Sequence, residues 1–109
     1  MKIKPDYAEA HYNLGVVFGK QGKLALAAAQ YERALKIKPD YAKAHYKLGL
    51  IFAKQGNLVQ AAAQYKRTVQ IDPAYVDAHF NLAIHLTNAR SYTEALKHFR
   101  KVLELRPAH

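Results

Sequence analysis

Residues 5–38 read PDYAEAHYNLGVVFGKQGKLALAAAQYERALKIK, and residues 39–72 read PDYAKAHYKLGLIFAKQGNLVQAAAQYKRTVQID. The two stretches agree at 21 of 34 positions without a gap, far beyond chance for a single offset. A third, more divergent copy opens at Pro73-Ala74-Tyr75-Val76, and Pro107 closes it, so the prolines mark a fixed period of 34. A repeat of this length marks a stack of small units, each unable to bury its own apolar face.

Two segments in the first unit carry helical periodicity. Residues 8–21 place Tyr12, Leu14, Val17 and Phe18 at helical spacing, and residues 24–37 do the same with Ala27, Ala28, Tyr31, Ala34 and Leu35. Each unit is therefore a helical hairpin. Gly22 and Gly56 fall where the first helix must stop, and the proline after each second helix cannot extend it. Arg90 replaces that glycine in the third unit, where Ser91-Tyr92-Thr93-Glu94 has the pattern of a capping box for the last helix.

On these residues the chain resembles the tetratricopeptide repeat family over nearly its whole length. The matching positions are Leu14-Gly15, Leu48-Gly49 and Leu82-Ala83; Phe18, Phe52 and Leu86; Ala27, Ala61 and Ala95; Tyr31, Tyr65 and Phe99; and Pro39, Pro73 and Pro107. The resemblance implies an all-α fold of three tandem antiparallel hairpins stacked as a right-handed solenoid, with the first helix of each unit lining a concave side. The chain is expected to form one domain, with repeats at about 8–41, 42–75 and 76–109. Residues 1–7 match residues 35–41 and are expected to be the tail of a truncated preceding helix. No polar helix follows Leu105, so the chain reads as a fragment of a longer array or an engineered segment whose bare ends favour self-association.

By size, Gly15 and Gly49 with Ala27 and Ala61 let paired helices approach, while Leu14, Phe18, Tyr31 and their equivalents supply the core. Truncating Tyr31 or Tyr65 to Ala is expected to cost on the order of 3 kcal/mol.

The expected concave face carries, in register, Glu9, Lys43 and Asp77; Tyr12, Tyr46 and Phe80; Asn13, Lys47 and Asn81; Val16, Leu50 and Ile84; and Lys20, Lys54 and Asn88. Apolar ladders on a solvated face point to a contact surface. An extended peptide suits it, because regularly spaced polar groups bond a backbone while the apolar ladder meets alternate side chains. The peptide-binding residues are thus expected to be Tyr12, Asn13, Val16, Lys43, Tyr46, Lys47, Leu50, Lys54, Phe80, Asn81 and Ile84. The ladder Asn13, Lys47, Asn81 resembles the asparagine ladder in the repeats of O-linked N-acetylglucosamine transferases, with Lys47 breaking it. The family's carboxylate clamp for acidic C-terminal tails is essentially missing, because Tyr12, Val16, Lys47, Asp77 and Asn81 stand at its positions.

Seventeen Lys and Arg against eight Asp and Glu leave a net charge of +9, which favours acidic partners. The expected partner is a protein or peptide combining acidic and apolar residues. Nucleic acid is the alternative, since aromatic residues interleave with lysines on one face, and it would show a steep salt dependence.

His11, His45 and His79 recur every 34 residues. On successive hairpins they stand roughly 10 Å apart, beyond one zinc coordination sphere with bonds of about 2 Å. They are read as half-buried packing groups, and His98 and His109 as surface residues. No Ser/His/Asp constellation, glycine-rich phosphate loop or carboxylate pair is present, so neither enzymatic activity nor a metal or cofactor is expected. There is no cysteine, no signal-like apolar start and no run approaching roughly 18 apolar residues. The chain reads as soluble, with no membrane insertion and the cytoplasm its default compartment.

Overall fold

The computed structural model describes residues 7–106. Among them are six helices and no strands: α1 (Tyr7–Lys20), α2 (Leu24–Ile37), α3 (Ala42–Lys54), α4 (Leu58–Ile71), α5 (Val76–Asn88) and α6 (Tyr92–Leu105). They pair as the hairpins α1/α2, α3/α4 and α5/α6, and α2 packs on α3 as α4 packs on α5. Tyr7 belongs to α1 rather than to a preceding segment. Residues 1–6, Pro107 and His109, on which expectations were also placed, lie outside the described residues.

The hairpin turn is built the same way three times. After α1, Lys23 N–H reaches back to the Phe18 carbonyl at 2.9 Å and Gly22 N–H to the Gly19 carbonyl at 3.0 Å. This pair of bonds satisfies carbonyls that a helix end otherwise leaves bare, and it requires a left-handed residue between them. Gly22 and Gly56 supply it with φ of 76° and 83°, and Arg90 is forced into the same region at 63°. The capping box expected at Ser91 does not form: Ser91 makes no side-chain cap bond. Its backbone N–H, which Glu94 would have accepted, already donates to the Leu86 carbonyl at 2.8 Å.

The core lies at the junctions between hairpins. Ala27, Ala28 and Tyr31 of the first hairpin pack with Leu48 and Ile51 of the second. One period on, Ala61, Ala62 and Tyr65 pack with Leu82, Leu86 and Ala95. Within a hairpin the crossing is tight because the facing residue lacks a side chain. A Cβ placed on Gly15 would lie 2.7 Å from Tyr31 Cε1, and one on Gly49 would lie 2.7 Å from Tyr65 Cε1. Leu14 departs from its expected core role: it is 42% exposed, against 3% for Leu48 and 1% for Leu82. Those two are covered by the preceding α2 and α4, and no described helix stands in that position for Leu14.

Candidate functional site

The first helices α1, α3 and α5 carry the ladder residues. Tyr12 and Tyr46 are more deeply engaged than a free contact surface requires. Tyr12 stacks on Tyr41 with ring centroids 5.2 Å apart and tilts against Tyr31 at 5.7 Å. Tyr46 repeats this with Tyr75 at 5.1 Å and Tyr65 at 5.8 Å, and its hydroxyl accepts a hydrogen bond from Asn81 Nδ2 at 2.9 Å. Both rings are half-buried and tie each hairpin to the next. Burial pushes the Tyr46 phenol up to about 12, with the Asp77 carboxylate and Tyr65 adding to the shift and the Asn81 bond opposing it. In the third hairpin Phe80 meets Phe99 edge-on at 6.1 Å and stays 45% exposed.

Beside this aromatic row lie two hollows related by one repeat. The first, about 180 Å³, is lined by Val16 and Lys20 of α1, Tyr31 of α2, and Lys47, Leu50 and Lys54 of α3. The second, about 190 Å³, is lined by Tyr65 of α4 and by Asn81, Ile84, His85 and Asn88 of α5. Tyr31 corresponds to Tyr65, Lys47 to Asn81, Leu50 to Ile84, and Lys54 to Asn88, all 34 positions apart. Their floors are alike and apolar; their rims differ, three lysines on the first and two amides with an imidazole on the second. Among the described residues the one salt bridge is Lys101–Glu104, away from this face.

Of the residues expected to bind, Val16, Lys47, Leu50, Lys54, Asn81 and Ile84 are thus brought together around the hollows. Tyr12, Tyr46 and Phe80 form the adjoining aromatic row, and Asn13 and Lys43 are exposed on the same helices without lining either hollow. Sequence reasoning assigned no role to His85, nor to Tyr41 and Tyr75 as the stacking partners of the aromatic row. The 34-residue offset of Ile51 marks the first, and the repeated Pro-x-Tyr marks the other two.

The recurring histidines lie within their hairpins, not on this face. His11 Nδ1 meets the Gln30 side-chain amide at 2.7 Å and His45 Nδ1 meets that of Gln64 at 2.8 Å, while His45 Nε2–H donates to the Pro39 carbonyl at 2.9 Å. In the third hairpin the glutamine is replaced by His98, which is half-buried rather than a surface residue. Its Nδ1 lies 2.9 Å from Nδ1 of His79, and because His79 Nε2–H donates to the Pro73 carbonyl at 2.8 Å, a neutral His79 accepts from His98. Burial lowers the His98 pKa, with His79, Lys97 and Lys66 adding to the shift and Glu94 opposing it. Among the described residues no three His, Asp or Glu side chains gather as a metal site would need, and no helix is long and apolar enough to cross a membrane.

Repeated hairpins sharing junction cores, with one row of helices bearing periodic hollows, define a helical-repeat solenoid. The chain belongs to the tetratricopeptide repeat family: a tetratricopeptide repeat model matches residues 12–76, a second matches 52–109, and a TPR repeat model matches 1–22. Two crystal structures of MamA are similar to it. One is 30% identical with a TM-score of 0.86, over 95% of this chain and 61% of that one; the other is 31% identical with a TM-score of 0.81, over 92% and 55%. The chain therefore spans less than two thirds of those proteins. The first TPR of Spaghetti (RPAP3), solved bound to the HSP90 peptide SRMEEVD, shares the fold at 20% identity and a TM-score of 0.88, over 98% of this chain and 85% of that one. No curated protein sequence matches.

Proposed function

We propose that this chain is a non-catalytic interaction scaffold that holds an extended peptide, rich in acidic and apolar residues, against the face of α1, α3 and α5. The observation that carries this reading is the pair of apolar-floored hollows repeating every 34 residues on that face, beside lysines with no carboxylate among the lining residues. The ladder residue Ile84 is 39% exposed, so an apolar ligand side chain laid along the face gains burial. A fold neighbour solved with a peptide supports this class of partner. Asn13 and Asn81 are suited to the ligand's main chain, as an asparagine ladder would be, although Asn81 already donates to Tyr46.

The test is selection from a random peptide library on the native chain and on Lys54→Glu/Ile84→Asp. Both positions are exposed, so helicity measured by circular dichroism is expected to be unchanged. Enrichment of acidic and apolar peptides on the native chain, lost on the variant, is the expected result. No enrichment, or enrichment indifferent to the variant, would overturn the proposal.

A further inference from the structure

The two hollows share a floor and differ at the rim, and a ligand crossing both must satisfy two different chemistries in a fixed order. Lys20, Lys47 and Lys54 surround the first, and none of its lining residues is acidic. A carboxylate entering there is attracted by the three bordering lysine side chains, while an ammonium would be repelled. At the second, Asn81, His85 and Asn88 stand where the first has Lys47, Ile51 and Lys54. Amide dipoles and an imidazole above the apolar floor of Tyr65 and Ile84 accept an uncharged side chain, and no lysine or arginine is among the lining residues to compensate a buried carboxylate.

Spacing links the two. Equivalent points on packed neighbouring helices are separated by roughly 10 Å. An extended chain in the polyproline II conformation rises about 3.1 Å per residue with three residues per turn, so residues i and i+3 project on the same side about 9 Å apart. A β-type strand, with its period of two, brings same-side residues to about 7 or 13 Å and fits the hollows less well.

Building on the peptide-binding reading above, we infer that the two hollows form a two-position code: a Glu or Asp side chain in the Lys20–Lys47–Lys54 hollow, and an uncharged side chain three residues away in the Asn81–His85–Asn88 hollow. The specificity of the array resides in the difference between its first and second junctions. The chemical class of the partner is an acidic peptide segment of polyproline II character.

The experiment uses the full chain and synthetic fluorescent dodecapeptides with a proline-containing Ala/Leu background, each carrying one Glu and, at two, three or four residues from it in either direction, Gln, Leu, Glu or Lys. Binding is read by fluorescence anisotropy. Tightest binding is expected for Glu paired with Gln or Leu at a spacing of three, weakened about tenfold when the first Glu is replaced by Gln. Lys20→Asn/Lys47→Asn/Lys54→Asn, which removes all three lysines from the first hollow, is expected to erase the preference for Glu. Asn88→Lys, an exposed substitution that gives the second hollow the cation of the first, is expected to turn the preference at the partner position from Gln to Glu. Peptides that bind with no dependence on Glu, on spacing or on either variant would overturn the code while leaving the scaffold reading standing. No binding by any peptide would overturn both. Lysine-dependent capture of a single-stranded oligonucleotide that displaces the peptides, with a steep salt dependence, would reassign the hollow to phosphate.

Discussion

Gly49→Ala adds one methyl group at the crossing of the second hairpin. Its Cβ would lie 2.7 Å from Tyr65 Cε1, 2.9 Å from Cδ1 and 3.2 Å from the Ala61 carbonyl oxygen. The ring is buried against Leu82 and Leu86 and cannot swing away, and the carbonyl belongs to the backbone of α4, so the helices must part. Overpacking of this kind costs about 1–3 kcal/mol. Exchanging glycine for alanine inside a helix recovers about 1 kcal/mol, which leaves a net loss of up to roughly 2 kcal/mol, centred on about 1 kcal/mol. Gly19→Ala makes the same chemical change in α1, where the new Cβ meets only Ile51 Cδ1, at 3.9 Å. The helical gain stands there unopposed, and the variant is expected to be about 1 kcal/mol more stable. The second repeat already has Ala53 at that position. At about 4–8 °C per kcal/mol, the two variants should separate by roughly 10 °C in Tm, on opposite sides of the native chain. Thermal unfolding followed by circular dichroism measures this directly. Equal shifts in the same direction would refute the reasoning, because they would show that contact at the crossing does not decide the sign.

Arg90→Gly should stabilise the chain by about 1 kcal/mol, since it removes a side chain from a left-handed φ without altering the turn; urea unfolding checks this through the midpoint. Stability should fall as pH is lowered from neutrality through the ordinary histidine range, because His98 has a depressed folded pKa and the unfolded chain binds its proton first. His98→Gln, which installs the residue found at Gln30 and Gln64, should flatten that slope in a pH series of melts. At the alkaline end Tyr31, Tyr46 and Tyr75 are each pushed up to about 12, chiefly by burial. The unfolded chain loses these protons near pH 10, so stability is full below that and declines as pH rises toward 12. A pH titration monitoring phenolate absorbance and helicity together should show the two changing in step.

The 34-residue period, the two helices per unit, the glycine turns and the stacking of hairpins were legible from residue spacing alone, because each depends on local chain properties repeated at a fixed interval. The resemblance to tetratricopeptide repeats, which implies that the first helix of each unit lines one side, is what leads to Val16, Lys47, Leu50, Lys54, Asn81 and Ile84 being expected on one face. What a residue meets across space was not written in that pattern. Leu14, Leu48 and Leu82 occupy equivalent positions, yet only the last two are buried, because burial depends on the helix stacked against them. Ser91 and Glu94 have the letters of a capping box, and only the folded turn shows that the Ser91 N–H is already taken by Leu86. His98 reads as a surface residue until α5 and α6 bring it to His79. Tyr12 and Tyr46 read as exposed ladder residues until the following hairpin sets Tyr41 and Tyr75 against them. A sequence period specifies which positions are equivalent; the neighbours on either side, which end effects and single substitutions change, decide whether equivalent residues do equivalent things.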